Sequence, residues 1–145
     1  MRGGRPRVFQ PTAQRDAPRL ETGIDVHWGR TMNRWRIPDW LEEEVRVRDK
    51  TCVYCGVRMI EQVPLRGSRK AMATWEHIVN DARIVSRENI ARCCAACNSS
   101  KGTKHLSDWI QSHYCRRRGI GKDTVATVVK EALRAAESEG RGITK

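Results

Sequence analysis

Two pairs of cysteines in the middle of the chain have the spacing of metal ligands. Each pair has two residues between its cysteines, and the pairs are Cys52 with Cys55 and Cys94 with Cys97. Four thiolates that leave no vacant position are the ligand set of a structural zinc rather than a catalytic one. Gly56, directly after the first pair, accepts the backbone angles that such a turn needs. The spacing therefore predicts a structural Zn²⁺ bound by these four cysteines.

Two further cysteines lie close to this pattern. Cys93 would pair with Cys97 across three intervening residues, which leaves an alternative choice of ligand open. Cys115 falls in an apolar helical pattern and is predicted to be a small buried side chain. Because no apolar leader follows Met1, the thiols are expected to stay reduced, in an intracellular and cytoplasmic setting.

Four polar side chains between and after the cysteine pairs offer a second kind of chemistry. Glu76 and His77 stand together after an extended run, Asn89 follows in R-E-N-I-A-R-C, and Asn98 comes directly after the last paired cysteine. An imidazole with an unperturbed pKa of about 6.5 is largely neutral at pH 7 and can take a proton from water. The oxygens of Glu76 and Asn98 are hard donors that suit Mg²⁺ or Mn²⁺, whereas thiolates suit zinc. A second, catalytic metal is therefore expected.

The order of these motifs resembles the HNH endonuclease family. The pattern is C-x-x-C, then an acidic residue with His-Ile, then Asn-Ile, then C-x-x-C-N-x-x-K-G, and it covers residues 52–102, about a third of the chain. The resemblance implies a β-hairpin and a helix that clasp one catalytic metal, with zinc as a brace. It also implies a metal-dependent hydrolase that cuts nucleic acid, DNA in the first place, and leaves 5′-phosphate and 3′-hydroxyl ends.

The family pattern gives each of the four side chains a role. His77 matches the general base, Glu76 matches a ligand of the catalytic metal, and Asn98 matches the second protein ligand. Asn89 matches a positioning residue, whose amide would bond the loop between the strands and orient His77. The family usually has Asp at the position of Glu76. The longer side chain leaves open whether the metal is Mg²⁺ or Mn²⁺.

The charge of the chain favours a polyanionic partner. Lys and Arg number 28 against 17 Asp and Glu, which gives a formal net charge of +11 and a pI near 10.0. Such a field attracts nucleic acid, while the sequence has no long apolar run or lipidation motif that would indicate a membrane. Phosphate contacts are predicted for a group of basic residues: Arg83, Arg87, Arg92, Lys101 and Lys104, together with Arg116 to Arg118.

Apolar periodicity predicts three helices around these motifs. The first begins with Asp39 as its cap and leads into Cys52. The second has Ser107 as its cap and closes at Gly119, and the third runs over 123–139. The apolar faces are Ile37, Trp40, Leu41 and Val45 in the first helix, Leu106, Trp109, Ile110 and Tyr114 in the second, and Val125, Val128, Val129, Ala132, Leu133 and Ala136 in the third.

The first 36 residues differ in composition from the rest. They contain eight Arg against three acidic residues, and Gly and Pro interrupt any apolar period. This predicts a flexible basic arm over 1–36, which either contacts phosphate or is a solvated tail. Residues 37–145 are predicted to form one α+β domain, a ββα-metal core with a four-cysteine zinc site and flanking helices.

Two other classes of function fit parts of the pattern. A zinc-stabilised nucleic-acid-binding module without catalysis would explain the charge but gives no chemical need for Glu76, His77, Asn89 and Asn98 together. A zinc-braced module for another protein leaves the charge unexplained. A homodimer is one way in which a single metal centre per chain could cut both strands of a duplex.

Overall fold

The computed structural model describes residues 32–141, and from Asn33 onward they belong to one compact unit. Of the arm predicted over residues 1–36, residues 1–31 lie outside the described part of the chain. Within the described part, two strands and five helices follow one another, which confirms the α+β class. They are α1 (Asp39–Arg48), β1 (Ala73–His77), β2 (Ile90–Cys94), α2 (Ala95–Lys101), α3 (Leu106–Trp109), α4 (His113–Arg118) and α5 (Thr127–Arg141).

The two strands and α2 form the centre of the unit. β1 and β2 are antiparallel, with Ala73 opposite Cys94 and His77 opposite Ile90. All five residues of β2 are buried, because α1 packs near one side of the hairpin and the other helices enclose the rest. α2 starts at the residue that follows β2, so the second cysteine pair spans the junction of strand and helix.

α1 packs through residues spaced four apart. Ile37, Leu41 and Val45 are fully buried and form a small core with Ile90. The prediction that Trp40 lies on this face is wrong, because its side chain is 43% exposed. Neighbouring residues of a helix are turned by about 100° from one another, so Trp40 points away from the direction of Leu41. The N-cap is Pro38, and Asp39 is the first helical residue rather than the predicted cap.

The predicted second helix is divided into α3 and α4. Ser112 interrupts it and caps α4, since its Oγ accepts a hydrogen bond from the Cys115 amide at 3.3 Å. The predicted cap at Ser107 is wrong, because α3 already begins after His105. The predicted end at Gly119 is confirmed: this residue has a φ of 67°, a left-handed conformation that glycine adopts without strain.

α5 begins at Thr127 rather than at Asp123. The preceding residues form a turn in which the Ala126 amide donates to the Val53 carbonyl at 2.8 Å. This amide therefore does not donate to a carbonyl one turn earlier, as it would in a helix. The predicted apolar face is buried at four of its positions, Val125, Val128, Val129 and Leu133. Ala136 is exposed, so the helix leaves the core before its last turns.

A long exposed loop precedes the hairpin. Residues 61–70 are exposed apart from the half-buried Pro64, and the Leu65 side chain lies fully in solvent. Gly67 in this loop has a φ of 102°, which favours glycine. None of the helices within 32–141 has the length and apolar character needed to cross a membrane.

Candidate functional site

The two cysteine pairs meet in one cluster. The Sγ atoms of Cys52, Cys55, Cys94 and Cys97 all lie within 4.8 Å of one another, and that of Cys55 is 3.8 Å from that of Cys94. A tetrahedral zinc with Zn–S bonds of about 2.3 Å separates its sulfurs by about 3.8 Å. The cluster can therefore hold a metal ion such as zinc, as the spacing predicts.

Two local structures present these thiols. In the first pair the Gly56 amide donates to the Cys52 carbonyl at 2.9 Å, and Gly56 has a φ of 75°. The turn is fixed to the sheet because the Val53 amide donates to the Arg92 carbonyl at 3.2 Å. In the second pair Cys94 is the N-cap of α2, and its Sγ accepts from the Cys97 amide at 3.5 Å.

The cluster favours negative charge on one of its sulfurs, that of Cys52. Hydrogen bonds from Cys94 and Cys97 lower the pKa of Cys52, while the contact with Cys52 raises the pKa of Cys97. The Tyr114 hydroxyl also lies 3.5 Å from the Cys97 Sγ and donates to it. A thiolate with further sulfur ligands beside it is suited to bind a cation.

The remaining cysteines lie outside the cluster. The alternative ligand Cys93 is excluded, because its side chain is directed to the Thr74 hydroxyl, 3.5 Å away, and burial raises the pKa of its thiol. Cys115 is fully buried, as predicted. All six cysteines are free thiols.

Three of the predicted site residues share one cavity. Glu76, His77 and Asn98 line a space of about 440 Å³ at the open face of the hairpin. Asn89 is not among its lining residues. The other residues that line this cavity are Arg34, Trp35, Ala73, Thr74, Trp75, Asn80 and Gly102.

α2 directs two side chains onto β1. Residues three apart lie on the same side of a helix, so Asn98 and Lys101 face the strand together. Asn98 Nδ2 donates to the Thr74 Oγ1 at 2.9 Å and to the Trp75 carbonyl at 3.1 Å. Both of these bonds use Nδ2, which leaves the Oδ1 atom of Asn98 for a ligand of the cavity.

His77 has an imidazole nitrogen that lacks a partner. Its Nε2 is buried and makes no hydrogen bond to any residue within 32–141. Burial lowers the pKa of His77 below its usual value; the Glu76 charge opposes this shift and the Lys101 charge adds to it. A buried, unpaired nitrogen is uncommon and is usually explained by a bound water, ion or ligand. A neutral imidazole at this position can accept a proton.

Glu76 is buried in a charged pair. Its Oε1 accepts a hydrogen bond from the Tyr54 hydroxyl at 2.8 Å and lies 2.7 Å from Lys101 Nζ. Burial and the Glu76 charge raise the pKa of Tyr54. Lys101 is only 1% exposed, so the prediction that it contacts phosphate is wrong. It compensates the Glu76 charge instead and also donates to the His77 carbonyl at 3.3 Å.

Glu76 and Asn98 offer a small number of oxygen ligands of the kind that a hard cation prefers. Both side-chain bonds of Glu76 use Oε1, so Oε2 and the Asn98 Oδ1 are the oxygens that these two cavity residues would offer to Mg²⁺ or Mn²⁺. Mg²⁺ is commonly bound by one or two carboxylates together with substrate phosphates. The donor set fits such an ion, with the phosphate as the larger source of negative charge.

Asn89 fixes the loop that joins the two strands. Its Oδ1 accepts from the Val79 amide at 2.7 Å, and its Nδ2 donates to the carbonyls of Val79 at 3.2 Å and Ile84 at 3.0 Å. The bonds expected between this amide and the loop are present. Since Val79 is two residues beyond His77, they hold the end of β1 in place. The role of Asn89 in catalysis stays a prediction.

The predicted basic contacts divide into buried and exposed residues. Arg92 is 5% exposed and binds Glu61 through two bonds of 2.6 and 2.7 Å, so its predicted contact with phosphate is wrong. Arg83, Arg87 and Lys104 are exposed, and their phosphate contacts stay predictions. Arg83 bonds Asp81 at 2.8 Å, which lowers the pKa of that carboxyl to about 2.

Several groups at the site were not predicted. Arg34 and Trp35 fall in the segment predicted to be flexible, and their place at the cavity depends on a turn that gives no periodic signal. Thr74 could have been found, because alternate residues of a strand share a side and Thr74 is two before Glu76. Tyr54 stands between the first two cysteines, where its reach to Glu76 depends on the packing of distant segments.

No family model, curated protein or solved structure matches this chain. The structure itself carries a four-cysteine cluster consistent with a zinc-braced domain, and it has a cavity lined by residues of β1 and α2.

Proposed function

We propose that this chain is a metal-dependent endonuclease of the HNH type that hydrolyses phosphodiester bonds of nucleic acid, in the first place DNA. One observation carries the proposal: Glu76, His77 and Asn98 line one cavity, and the Nε2 of His77 is buried without a partner among residues 32–141. Phosphodiester hydrolysis needs a base for water and a group that stabilises the charge developing on phosphate. These side chains supply both from adjoining elements.

His77 is the proposed general base. Because its pKa is lowered, the imidazole is neutral at pH 7, so Nε2 can take the proton from the attacking water. Glu76 and Asn98 would hold Mg²⁺ or Mn²⁺, and such an ion, when bound, neutralises charge on the phosphate and the departing 3′ oxygen. Tyr54 and Lys101 fix the Glu76 carboxylate, and Asn89 fixes the loop that follows His77.

The four-cysteine cluster has a structural part in this proposal. It joins the turn that carries Tyr54 to the start of the helix that carries Asn98 and Lys101. All three side chains contact β1, so zinc in the cluster would set the shape of the cavity without entering it.

Cleavage of supercoiled plasmid tests the proposal. The wild type is expected to convert plasmid only when Mg²⁺ or Mn²⁺ is added, and His77→Ala is expected to lose at least a hundredfold in rate, as is common when a general base is removed. His113, which is exposed on α4 and far along the chain from the cavity residues, provides the matched control His113→Ala, with unchanged cleavage. Retained cleavage by a correctly folded His77→Ala would refute His77 as the base.

A non-catalytic nucleic-acid-binding module is the second candidate. The observation in its favour is the 2.7 Å pair of Lys101 Nζ and Glu76 Oε1, because an ammonium group already compensates the carboxylate that a catalytic metal would use. This candidate predicts salt-dependent binding of DNA by both wild type and His77→Ala, with no cleavage by either at any metal concentration. The plasmid assay therefore separates the two candidates.

A further inference from the structure

The rim of the cavity carries an aromatic side chain and a basic one from the segment before α1. Trp35 and Arg34 line the same cavity as His77. Trp35 is 46% exposed, and the exposed Arg34 guanidinium lies 4.6 Å from the centre of its ring. Aromatic rings and guanidinium groups are the side chains on which nucleobases stack.

Trp35 is held by a turn with several hydrogen bonds. Asn33 Oδ1 accepts from the Trp35 amide at 2.8 Å and from the Ile37 amide at 3.2 Å. Asn33 Nδ2 donates to the Glu42 carboxylate, which attaches the turn to α1. Arg36 has a φ of 61° and closes the turn through its amide, 2.9 Å from the Asn33 carbonyl. A backbone fixed in this way loses little conformational entropy when a ligand binds at the ring that it carries.

The location of Trp35, rather than its exposure, distinguishes it from another exposed tryptophan, Trp40. Trp40, on α1, is exposed to nearly the same extent, at 43%, and is not among the residues that line the cavity. A half-exposed Trp stabilises the fold less than a fully buried one, because part of its ring stays in water. At the cavity, a ligand can cover the ring, and Trp40 serves as the matched comparison.

We propose that Trp35 is a stacking platform for an unpaired nucleobase next to the phosphate at the cavity, with Arg34 against one face of the ring. The inference rests on the proposed function, since it requires nucleic acid at this cavity. The guanidinium contacts one face, and the opposite face accepts the base. Stacking on an aromatic ring tolerates any base, so the platform positions the strand without reading its sequence.

Binding of a fluorescent base tests this platform without cleavage. The probe is a short single-stranded DNA that carries 2-aminopurine, whose fluorescence is quenched when it stacks, and the protein is the His77→Ala variant with zinc bound. Adding Trp35→Ala is expected to abolish the quenching and to weaken binding about tenfold. Trp35→Phe keeps a ring and is expected to restore most of both effects, while Trp40→Ala is expected to change neither.

The outcomes separate this inference from the proposed function. Equal affinity and equal quenching with and without Trp35→Ala would overturn the platform, whatever the plasmid assay shows. If the wild type fails to cleave while quenching still depends on Trp35, the platform stands and the nuclease proposal fails. If the probe does not bind at all, the platform is overturned. Circular dichroism and zinc content establish that each variant is folded.

Discussion

The pair of Glu76 and Lys101 shows how a buried charge is maintained at the site. Lys101 is 1% exposed and Glu76 5%, and their charged atoms lie 2.7 Å apart. Removal of one partner from a buried pair leaves the other charge without compensation, which is costly in a medium less polar than water. Tyr54 provides the only other bond that the Glu76 carboxylate makes to the described residues, and a neutral hydroxyl compensates a carboxylate poorly.

Lys101→Met is therefore expected to lower the free energy of unfolding by about 3 kcal/mol. Urea denaturation with zinc bound measures the change, and Lys104→Met, an exposed lysine in the next turn of the chain, is the control with little effect. The double variant Glu76→Gln with Lys101→Met is expected to regain much of the loss, because no buried charge then remains. A cost for Lys101→Met no larger than that for Lys104→Met would contradict this account.

At the scale of elements, the end of α4 depends on the backbone conformation of one glycine. Gly119 ends α4 with a φ of 67°, and the next glycine, Gly121, has no positive φ. A Cβ at either position meets no atom within 4 Å, so only the backbone conformation distinguishes the two sites.

Gly119→Ala is expected to destabilise the protein by about 1–2 kcal/mol, because a side chain disfavours the left-handed conformation. Gly121→Ala is the matched control and is expected to change stability little. Thermal unfolding of the two variants side by side measures the difference. Equal melting temperatures would show that the end of α4 does not require this conformation.

Motifs that depend on local spacing could be predicted from the sequence, whereas features that depend on distant contacts could not. The spacing within each cysteine pair, the strand that ends at His77 and the amide of Asn89 follow from residues close along the chain. The sequence alone predicts Lys101 and Arg92 to be surface charges. Their ion pairs with Glu76 and Glu61 explain why they are buried. The late start of α5 has the same origin, because the Val53 carbonyl is more than 70 residues away from Ala126.

At the scale of the whole molecule, the metal cluster connects parts that lie far apart along the chain and that also share one hydrophobic core. It links the turn after α1 to the junction of β2 and α2, about 40 residues further along the chain. A domain of this size has a modest core, so a structural metal can supply a large share of its folding free energy.

Cys55→Ala is accordingly expected to lose zinc and to unfold the cavity at temperatures at which the wild type is folded. Cys93→Ala is the control: it also removes a buried thiol, but one outside the cluster, and is expected to retain one zinc per chain with a smaller loss of stability. Metal analysis and thermal unfolding monitored by circular dichroism measure both properties. A Cys55→Ala protein with the full zinc content would contradict the assignment of this ligand.

The exposed loop of residues 61–70 offers one place at which the backbone can be cut. It contains Arg66, Arg69 and Lys70 in solvent, where a trypsin-like protease can cut. A cut there separates α1 and the first cysteine pair from the hairpin and the second pair. The two fragments would still share four thiols around one metal and the bond from Tyr54 to Glu76. We therefore expect a metal ion in the cluster to help hold the two pieces together after the chain is broken there.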